Sequence, residues 1–595
     1  MILLWTLCLT LGGQIMARPE QMAEPKGLFW QLTDVHWDRE YSSNGDPKKM
    51  CHRASDGLGV ETGKFGTYSC DSPWELVEAS IAAMTEQESD PDFIVWTGDN
   101  SPHVKDPIPD WDYVFSSLKK VTDLLRDQFP RSQIIPVLGN HDVYPEDFYP
   151  GKTGGIYEAY LKEGGWEDLL SNRAKGSFGA CGFYSTMPNK GLKVLVLNTN
   201  LYNVPDNLTS NIEDPCGQFT WMERELKKAE RAGTKVLVAA HIPPGYFERF
   251  VVSPFYNEIH NKKYINLLND YGDVILAHVY GHTHTDSFRL FRTDENDEVK
   301  SIAFIAPSVT PWLHSGGVNP SIRLYGYEPY ESHITDFWQY FLNLTEINEH
   351  LNTQVSTQKI IPETDENLLA EKSRMYRSWA SRPIQEIEPY LDSSNELEVL
   401  DYRNKEKKAG DLKAHKRSRR SEGPGWKLLY RATDFYNVPS LKNEYMHSVY
   451  KRLKTDEDFF GQFYGYNTGG YVFETCDSKC KREHICAMGH LHNRDMEACL
   501  NQSISTEVSN YNIGKSLPSN ATEVVSENQG SDIVKLLTVE QSTNKNTHVI
   551  TVVCSIVFVF CAALIALFMI HPRNKYRVLR SNWRHSYEPI EGNVL

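Results

Sequence analysis

The chain has 595 residues, of which 40 % are apolar, 24 % charged and 12 % aromatic. That mixture allows several globular domains and excludes collagen, coiled coil and wholesale disorder. Its 62 basic and 78 acidic residues give a formal net charge of −16, the opposite of the basic face that a duplex nucleic-acid binder needs.

Residues 1–17 begin with an apolar run and end at the small residue Ala17, the pattern of a secretory signal peptide. From 26 to 350, short apolar runs alternate with longer helix-compatible stretches. The runs Gly27–Leu32, Phe93–Trp96, Ile134–Leu138, Val194–Leu197, Val236–Ala240, Val274–Tyr280 and Ile302–Ile305 predict strands. Trp74–Gln87 and Trp111–Gln128 predict helices. Such alternation predicts an α/β domain with buried strands.

Composition shifts after His350. Residues 351–425 are charged and lack cysteine, which reads as a linker or insertion. Within them Arg417-Ser-Arg-Arg420 fits the pattern cut by furin-type proteases, and fits a plain solvated basic run equally well. Residues 426–500 regain aromatic content and hold four cysteines, predicting a small helical subdomain stapled by disulfides. Residues 501–548, rich in Ser, Thr and Asn, read as a stalk.

The uncharged run 549–570 would span about 33 Å as a helix, enough to cross a bilayer. Five basic residues against two acidic ones follow in 571–595, which predicts a cytoplasmic tail. Together these features predict a single-pass type I membrane protein in the secretory pathway, its body luminal or extracellular, with lysosome and cell surface both open. Sequons at Asn207, Asn343, Asn501 and Asn520 fit N-glycans on such a body. Setting aside Cys8, Cys554 and Cys561, eight cysteines remain: Cys51, Cys70, Cys181, Cys216, Cys476, Cys480, Cys486 and Cys499. An even number predicts four disulfides of unspecified pairing. The spacing of the last four fits no standard zinc knuckle.

Five polar blocks follow apolar runs: Asp34-Val-His36, Gly98-Asp99-Asn100, Gly139-Asn-His-Asp142, His241, and Gly281-His-Thr-His284. In α/β sheets ligands bind beyond the carboxyl ends of strands, so these blocks converge on one edge. Carboxylate and imidazole suit zinc, manganese or iron, and a shared Asp can bridge two ions. Two ions about 3.5–4 Å apart clamp a phosphoryl group and activate water.

This ordered set resembles the calcineurin-like metallophosphoesterase superfamily. His103 four residues after Asp99, the block Ala240-His-Ile-Pro-Pro-Gly245, Asn319-Pro-Ser321, Tyr340-Phe-Leu-Asn-Leu-Thr345 and the cysteine spacing narrow the likeness. With them, residues 26–350 and 426–500 resemble the acid sphingomyelinase-like phosphodiesterases, without a saposin-type domain. The resemblance implies a β-sandwich flanked by helices, plus the helical C-terminal subdomain. It implies two Zn²⁺ ions: one held by Asp34, His36, Asp99 and His284, the other by Asp99, Asn140, His241 and His282. It further implies a proton donor to the leaving group, with His141 the first candidate and His103 the second.

The expected activity is zinc-dependent hydrolysis of a phosphodiester such as sphingomyelin, yielding ceramide and phosphocholine. Hydrolysis of nucleotides or their diphosphate conjugates is the alternative substrate reading. A catalytically silent adhesion or receptor ectodomain is the rival class, disfavoured because every expected ligand position holds a metal-binding residue. Loops Tyr144–Tyr149 and Val309–Gly317 are expected to wall the pocket.

Overall fold

The computed structural model describes residues 27–501 apart from 57–61, 106–107, 152–154, 294–296, 315, 331–332, 351–424 and 473. The predicted signal peptide, nearly all of the linker and of the stalk, the 549–570 run, the tail, Arg420 and Asn520 lie outside the described residues. One expectation is corrected. No helix among the described residues is long and apolar enough to cross a membrane. The single-pass type I localisation expected from the signal-like start, the 549–570 run and the basic tail is therefore withdrawn.

The named elements among the described residues follow in chain order. The strands are β1 Gly27–Leu32, β2 Phe93–Trp96, β3 Gln133–Pro136, β4 Tyr184–Asn189, β5 Leu192–Val196, β6 Lys235–Ala239, β7 Tyr246–Phe247 and β8 Phe250–Pro254. Then come β9 Ile275–Tyr280, β10 Ser287–Arg292, β11 Val299–Ile305, β12 Trp312–Leu313, β13 Gly316–Gly317, β14 Ser321–Tyr327, β15 Ile334–Leu342 and β16 Trp426–Arg431. The helices are α1 Trp74–Gln87, α2 Trp111–Gln128, α3 Ile156–Lys162, α4 Asn172–Cys181, α5 Gln218–Ala232 and α6 Glu258–Asp270. After β16 come α7 Ala432–Tyr436, α8 Asn443–Thr455, α9 Glu457–Asn467, α10 Ser478–Gly489 and α11 Asn493–Asn501.

Two six-stranded sheets form the sandwich. One runs β16-β15-β14-β1-β2-β3, the other β10-β11-β9-β6-β5-β4. In the first, β1, β2 and β3 are parallel and the three late strands add antiparallel. In the second, β5, β6, β9 and β11 are parallel, with antiparallel edges at β4 and β10. The four residues of β2, Phe-Ile-Val-Trp, are all buried, as a central strand covered on both faces requires.

Phe304 of the second sheet lies against Tyr325 and Phe337 of the first, ring centroids 5.9 Å away in each case. The Gln31 side-chain amide donates to the Tyr280 carbonyl at 2.9 Å, a buried polar tie between the same sheets. On the outer layer α2 starts where the Asp110 carboxylate accepts the Tyr113 N–H at 2.9 Å. It buries Val114, Leu118, Val121 and Leu125, which recur at helical spacing.

After β15 the chain runs through a helical stretch at 344–350 into the linker and returns as β16, the next strand of the same sheet. The C-terminal helices therefore start from an edge of the sandwich. They also buttress its interior: the Asn467 amide of α9 donates to the Asp286 carbonyl at 2.7 Å, and the Asp286 N–H donates back to the Asn467 carbonyl at 2.8 Å. All eight predicted cysteines pair, as Cys51–Cys70, Cys181–Cys216, Cys476–Cys480 and Cys486–Cys499.

Candidate active site

The five polar blocks lie just beyond β1, β2, β3, β6 and β9, and backbone hydrogen bonds lace them together. The Asp34 N–H donates to the Gly98 carbonyl at 3.0 Å, the His36 N–H to Asp99 at 3.0 Å, and the Gly281 N–H to His241 at 3.0 Å. Two glycines are required by this closeness. A Cβ on Gly139 would sit 2.1 Å from Asp99 Oδ1, and one on Gly281 would sit 2.0 Å from Thr33 Oγ1. Asp34, His36, Asp99, His282 and His284 all have left-handed backbone, with φ between 40° and 72°. Such strain clusters at functional sites and persists only where the surroundings over-determine it.

The seven side chains expected to hold metal converge. The Asp99 carboxylate lies between two imidazoles, its Oδ2 3.4 Å from His36 Nε2 and 3.1 Å from His241 Nε2. Asp34 Oδ1 lies 3.6 Å from His284 Nε2. Asn140 Oδ1 lies 3.0 Å from His241 Nε2 and 2.8 Å from His282 Nδ1. All but His282 are buried.

The donor chemistry fits a cation. His36 Nδ1 is 2.7 Å from the Ser101 carbonyl, His241 Nδ1 2.6 Å from Thr97, and His284 Nδ1 2.8 Å from Trp312. A carbonyl only accepts, so each Nδ1 carries the proton and each Nε2 presents a lone pair to the centre. Two such lone pairs, on His36 and His284, face each other across 3.2 Å. Acceptors in that arrangement need a cation or a proton between them. With protons alone, burial pulls His36 and His241 down, but the hydrogen bond and charge of Asp99 outweigh it and raise both to about 9. His282 and His284 go the other way, to about 3, through burial and then the neighbouring His241 and His36. The site has two carboxylates and cannot protonate all its imidazoles, which suits divalent ions better than protons.

Both candidate proton donors stand at the mouth. His103 and His141 have ring centroids 4.4 Å apart. His103 Nδ1 is 2.9 Å from Asp71 Oδ1, its backbone N–H donates to Asp71 Oδ2 at 2.6 Å, and its ring packs on Trp312 at 3.9 Å. His141 Nδ1 is 3.3 Å from Glu146, and its backbone N–H donates to Asp99 Oδ1 at 2.8 Å. A cavity of about 220 Å³ opens over Asp99, His141 and His282, walled by Phe247, Phe255 and Trp312. Trp312 and His314 bring the expected 309–317 loop to that wall, and Glu146 brings the 144–149 loop to His141.

Sequence reasoning missed several participants. Asp142 closes the Gly139–Asp142 block with no role apparent from sequence, yet its carboxylate accepts the backbone N–H groups of Asp99, Asn100 and Gly139 at 2.8–2.9 Å. Asp71 lies far from every block and is brought in beside Cys70, which the Cys51 disulfide pins. Asp286 and Arg323, 2.5 Å apart and buried, brace the segment that follows His284.

Fold and site together define a calcineurin-like phosphoesterase, whose family profile matches residues 27–286. The profile of the acid sphingomyelin phosphodiesterase C-terminal region matches 297–364 and 376–506. Human acid sphingomyelinase-like phosphodiesterase 3b is 30 % identical over 85 % of this chain and 96 % of its own. A human cyclic GMP-AMP phosphodiesterase is 30 % identical over 80 % of this chain and 90 % of its own. Sphingomyelinase phosphodiesterase C of Dictyostelium discoideum is 29 % identical over 80 % and 92 %. The chain belongs to the acid sphingomyelinase-like phosphodiesterase family, and so to the phosphoric diester hydrolases. Membership implies a divalent metal site, for which the Asp34, His36, Asp99 and Asp99, His241, His282 groups are suited.

Proposed function

We propose that this protein is a two-zinc phosphodiesterase. The observation that carries the reading is the Asp99 carboxylate set between His36 and His241, with acceptor atoms facing acceptor atoms on both sides of it. Asp34, His36, Asp99 and His284 would hold one ion; Asp99, Asn140, His241 and His282 would hold the other. When bound, such ions supply Lewis-acid neutralisation of phosphoryl charge and a low pKa for water.

The chain's own residues do the rest. Thr33 Oγ1 donates to Asp34 Oδ2 at 2.6 Å, and the His282 N–H reaches both Asp34 oxygens at 3.0 Å, which fixes that carboxylate. The His141 N–H fixes Asp99 in the same way. His141 gives a proton to the departing alkoxide, and His103, held by Asp71, stands beside it as the second donor. Phe247, Phe255 and Trp312 exclude water from one side of the cavity.

The favoured substrate is a phosphocholine-type diester such as sphingomyelin, which fits the small cavity and the names of the sphingomyelinase relatives. A nucleotide substrate is the second reading. It is favoured by the aromatic wall, on which a base can stack, and by the cyclic GMP-AMP phosphodiesterase among the relatives. The experiment offers zinc-loaded protein sphingomyelin in detergent micelles, ATP and a cyclic dinucleotide side by side and compares kcat/KM. Dominant phosphocholine release supports the first reading. Dominant nucleotide turnover replaces it with the second. No turnover of any diester by protein with bound metal rejects both.

A further inference from the structure

Away from the catalytic cavity, α10 carries an imidazole that has no visible employment. His484 is 1 % exposed, and neither ring nitrogen has a hydrogen-bond partner. A buried imidazole without partners is rare, because each unmet polar atom costs free energy. The ring lies among Phe460 and Tyr464, at 6.0 and 5.3 Å. Burial pushes its pKa down to about 3, so the ring stays neutral above that. A neutral imidazole is the form that binds metal.

The imidazole stands beside two sulfurs. One ring nitrogen of His484 and the sulfurs of Cys476 and Cys480 lie within 4.8 Å of one another. Cys480 and His484 are four residues apart on α10 and share a face, and Cys476 precedes the helix. Tetrahedral zinc, with bonds of about 2.3 Å to sulfur and 2.0–2.1 Å to nitrogen, needs its ligands roughly 3.5–3.8 Å apart, which lies inside that 4.8 Å limit once the two sulfurs are released from each other. In the oxidised protein the sulfurs are spent on each other.

That disulfide is the easiest of the four to open. Both of its cysteines are partly exposed, whereas each of the other three contains a fully buried sulfur residue: Cys51, Cys70, Cys181 or Cys486. It closes a sequence separation of 4, against 19, 35 and 13. In the chain-entropy account the smallest ring stabilises the fold least. A groove of about 890 Å³ runs past Cys476 and gives an entry path.

We propose that Cys476, Cys480 and His484 form a redox-gated site for a thiophilic divalent cation, zinc being the fitting one, which fills only when the Cys476–Cys480 bond is open. A dithiol supplies the two electrons and two protons. The Cys476–Cys480 S–S bond breaks, the dithiol closes its own disulfide, and two cysteine thiols result. Zinc then displaces both thiol protons to solvent. Two Zn–S bonds and one Zn–N bond form without change of oxidation state, and a solvent water takes the fourth position. The metal replaces the disulfide as the staple at the head of α10.

The test uses the full chain, loaded with zinc while oxidised and desalted, then stepwise dithiothreitol that is removed before cobalt(II) is added as probe. Cys476 and Cys480 are expected to become alkylatable first. One equivalent of cobalt should then produce a thiolate-to-cobalt absorption band that the oxidised protein lacks. The proposed catalytic set contains no cysteine, so it cannot generate that band. Cys480→Ser should abolish the band, and His484→Phe should keep both thiols titratable while weakening cobalt binding at least tenfold. The proposal is overturned by free thiols at 476 and 480 without the band, by unchanged affinity in His484→Phe, or by a disulfide that opens only with loss of the fold.

Discussion

Asp142 grips the backbone of Asp99. Its carboxylate accepts the Asp99 N–H at 2.9 Å, while the neighbouring Asn100 N–H donates to its other oxygen at 2.8 Å. The strained turn that aims Asp99 into the site is thus held from behind by a buried acceptor that touches no proposed ion ligand side chain. Asp142→Asn should replace one charged acceptor by an amide donor. The expected cost is about 1–3 kcal/mol in stability by chemical denaturation. Metal affinity should fall by roughly 10–100-fold, as for other residues that orient ligands. Unchanged metal affinity would show that the turn holds without Asp142.

The two crowded glycines make a steric prediction. Gly139→Ala and Gly281→Ala each insert a methyl group within 2.1 Å of the Asp99 or Thr33 side chain. Overpacking of this kind costs about 1–3 kcal/mol. Here the displaced atoms belong to the site, so activity should fall further than stability does. Near-normal kcat/KM in both variants would contradict the packing described.

How much of this was legible in sequence depends on whether the signal was local. The runs Gly27–Leu32 and Phe93–Trp96 and the helices Trp74–Gln87 and Trp111–Gln128 match the structure residue for residue. Each is continuous in apolar pattern and bounded by a turn or cap. The blocks after the strands were legible because the strands themselves bring them together. Asp71 was not, because its approach to His103 depends on a loop pinned by Cys51–Cys70. Strand β16 escaped detection because its partner β15 lies before a long intervening segment. Disulfide pairing and the Glu248–Arg289 and Asp286–Arg323 ion pairs arise only from tertiary contact.

Buried Glu248 and Arg289 predict a pH dependence of stability. Burial would raise the carboxyl, but the Arg289 guanidinium 2.5 Å away outweighs it and lowers Glu248 from 4.5 to about 2. A depressed folded pKa stabilises fully above the unfolded value. The contribution is therefore complete above pH 4.5 and drains away as pH falls towards 2. Its size is on the order of 3 kcal/mol. Thermal melts should show Glu248→Gln destabilised at pH 6, with the gap to the parent shrinking to about a quarter near pH 2.5. An equal gap at both pH values would reject the assignment.

Leaving-group chemistry separates the two mouth histidines. If His141 is the proton donor, His141→Ala should lose roughly 10²–10⁴-fold on an alkyl diester. It should lose far less on a p-nitrophenyl diester, whose leaving group needs no proton. His103→Ala should fall about equally on both. The reverse pattern would exchange the two roles.

The central claim is the shared role of Asp99, and metal counting with turnover tests it most directly. The full chain, loaded with zinc and desalted, should hold two ions beyond any bound after disulfide reduction. Asp99→Asn should hold fewer than two, keep the parent's far-ultraviolet spectrum, and lose activity on the order of 10³-fold. Two tightly held ions together with near-normal turnover in Asp99→Asn would contradict the account.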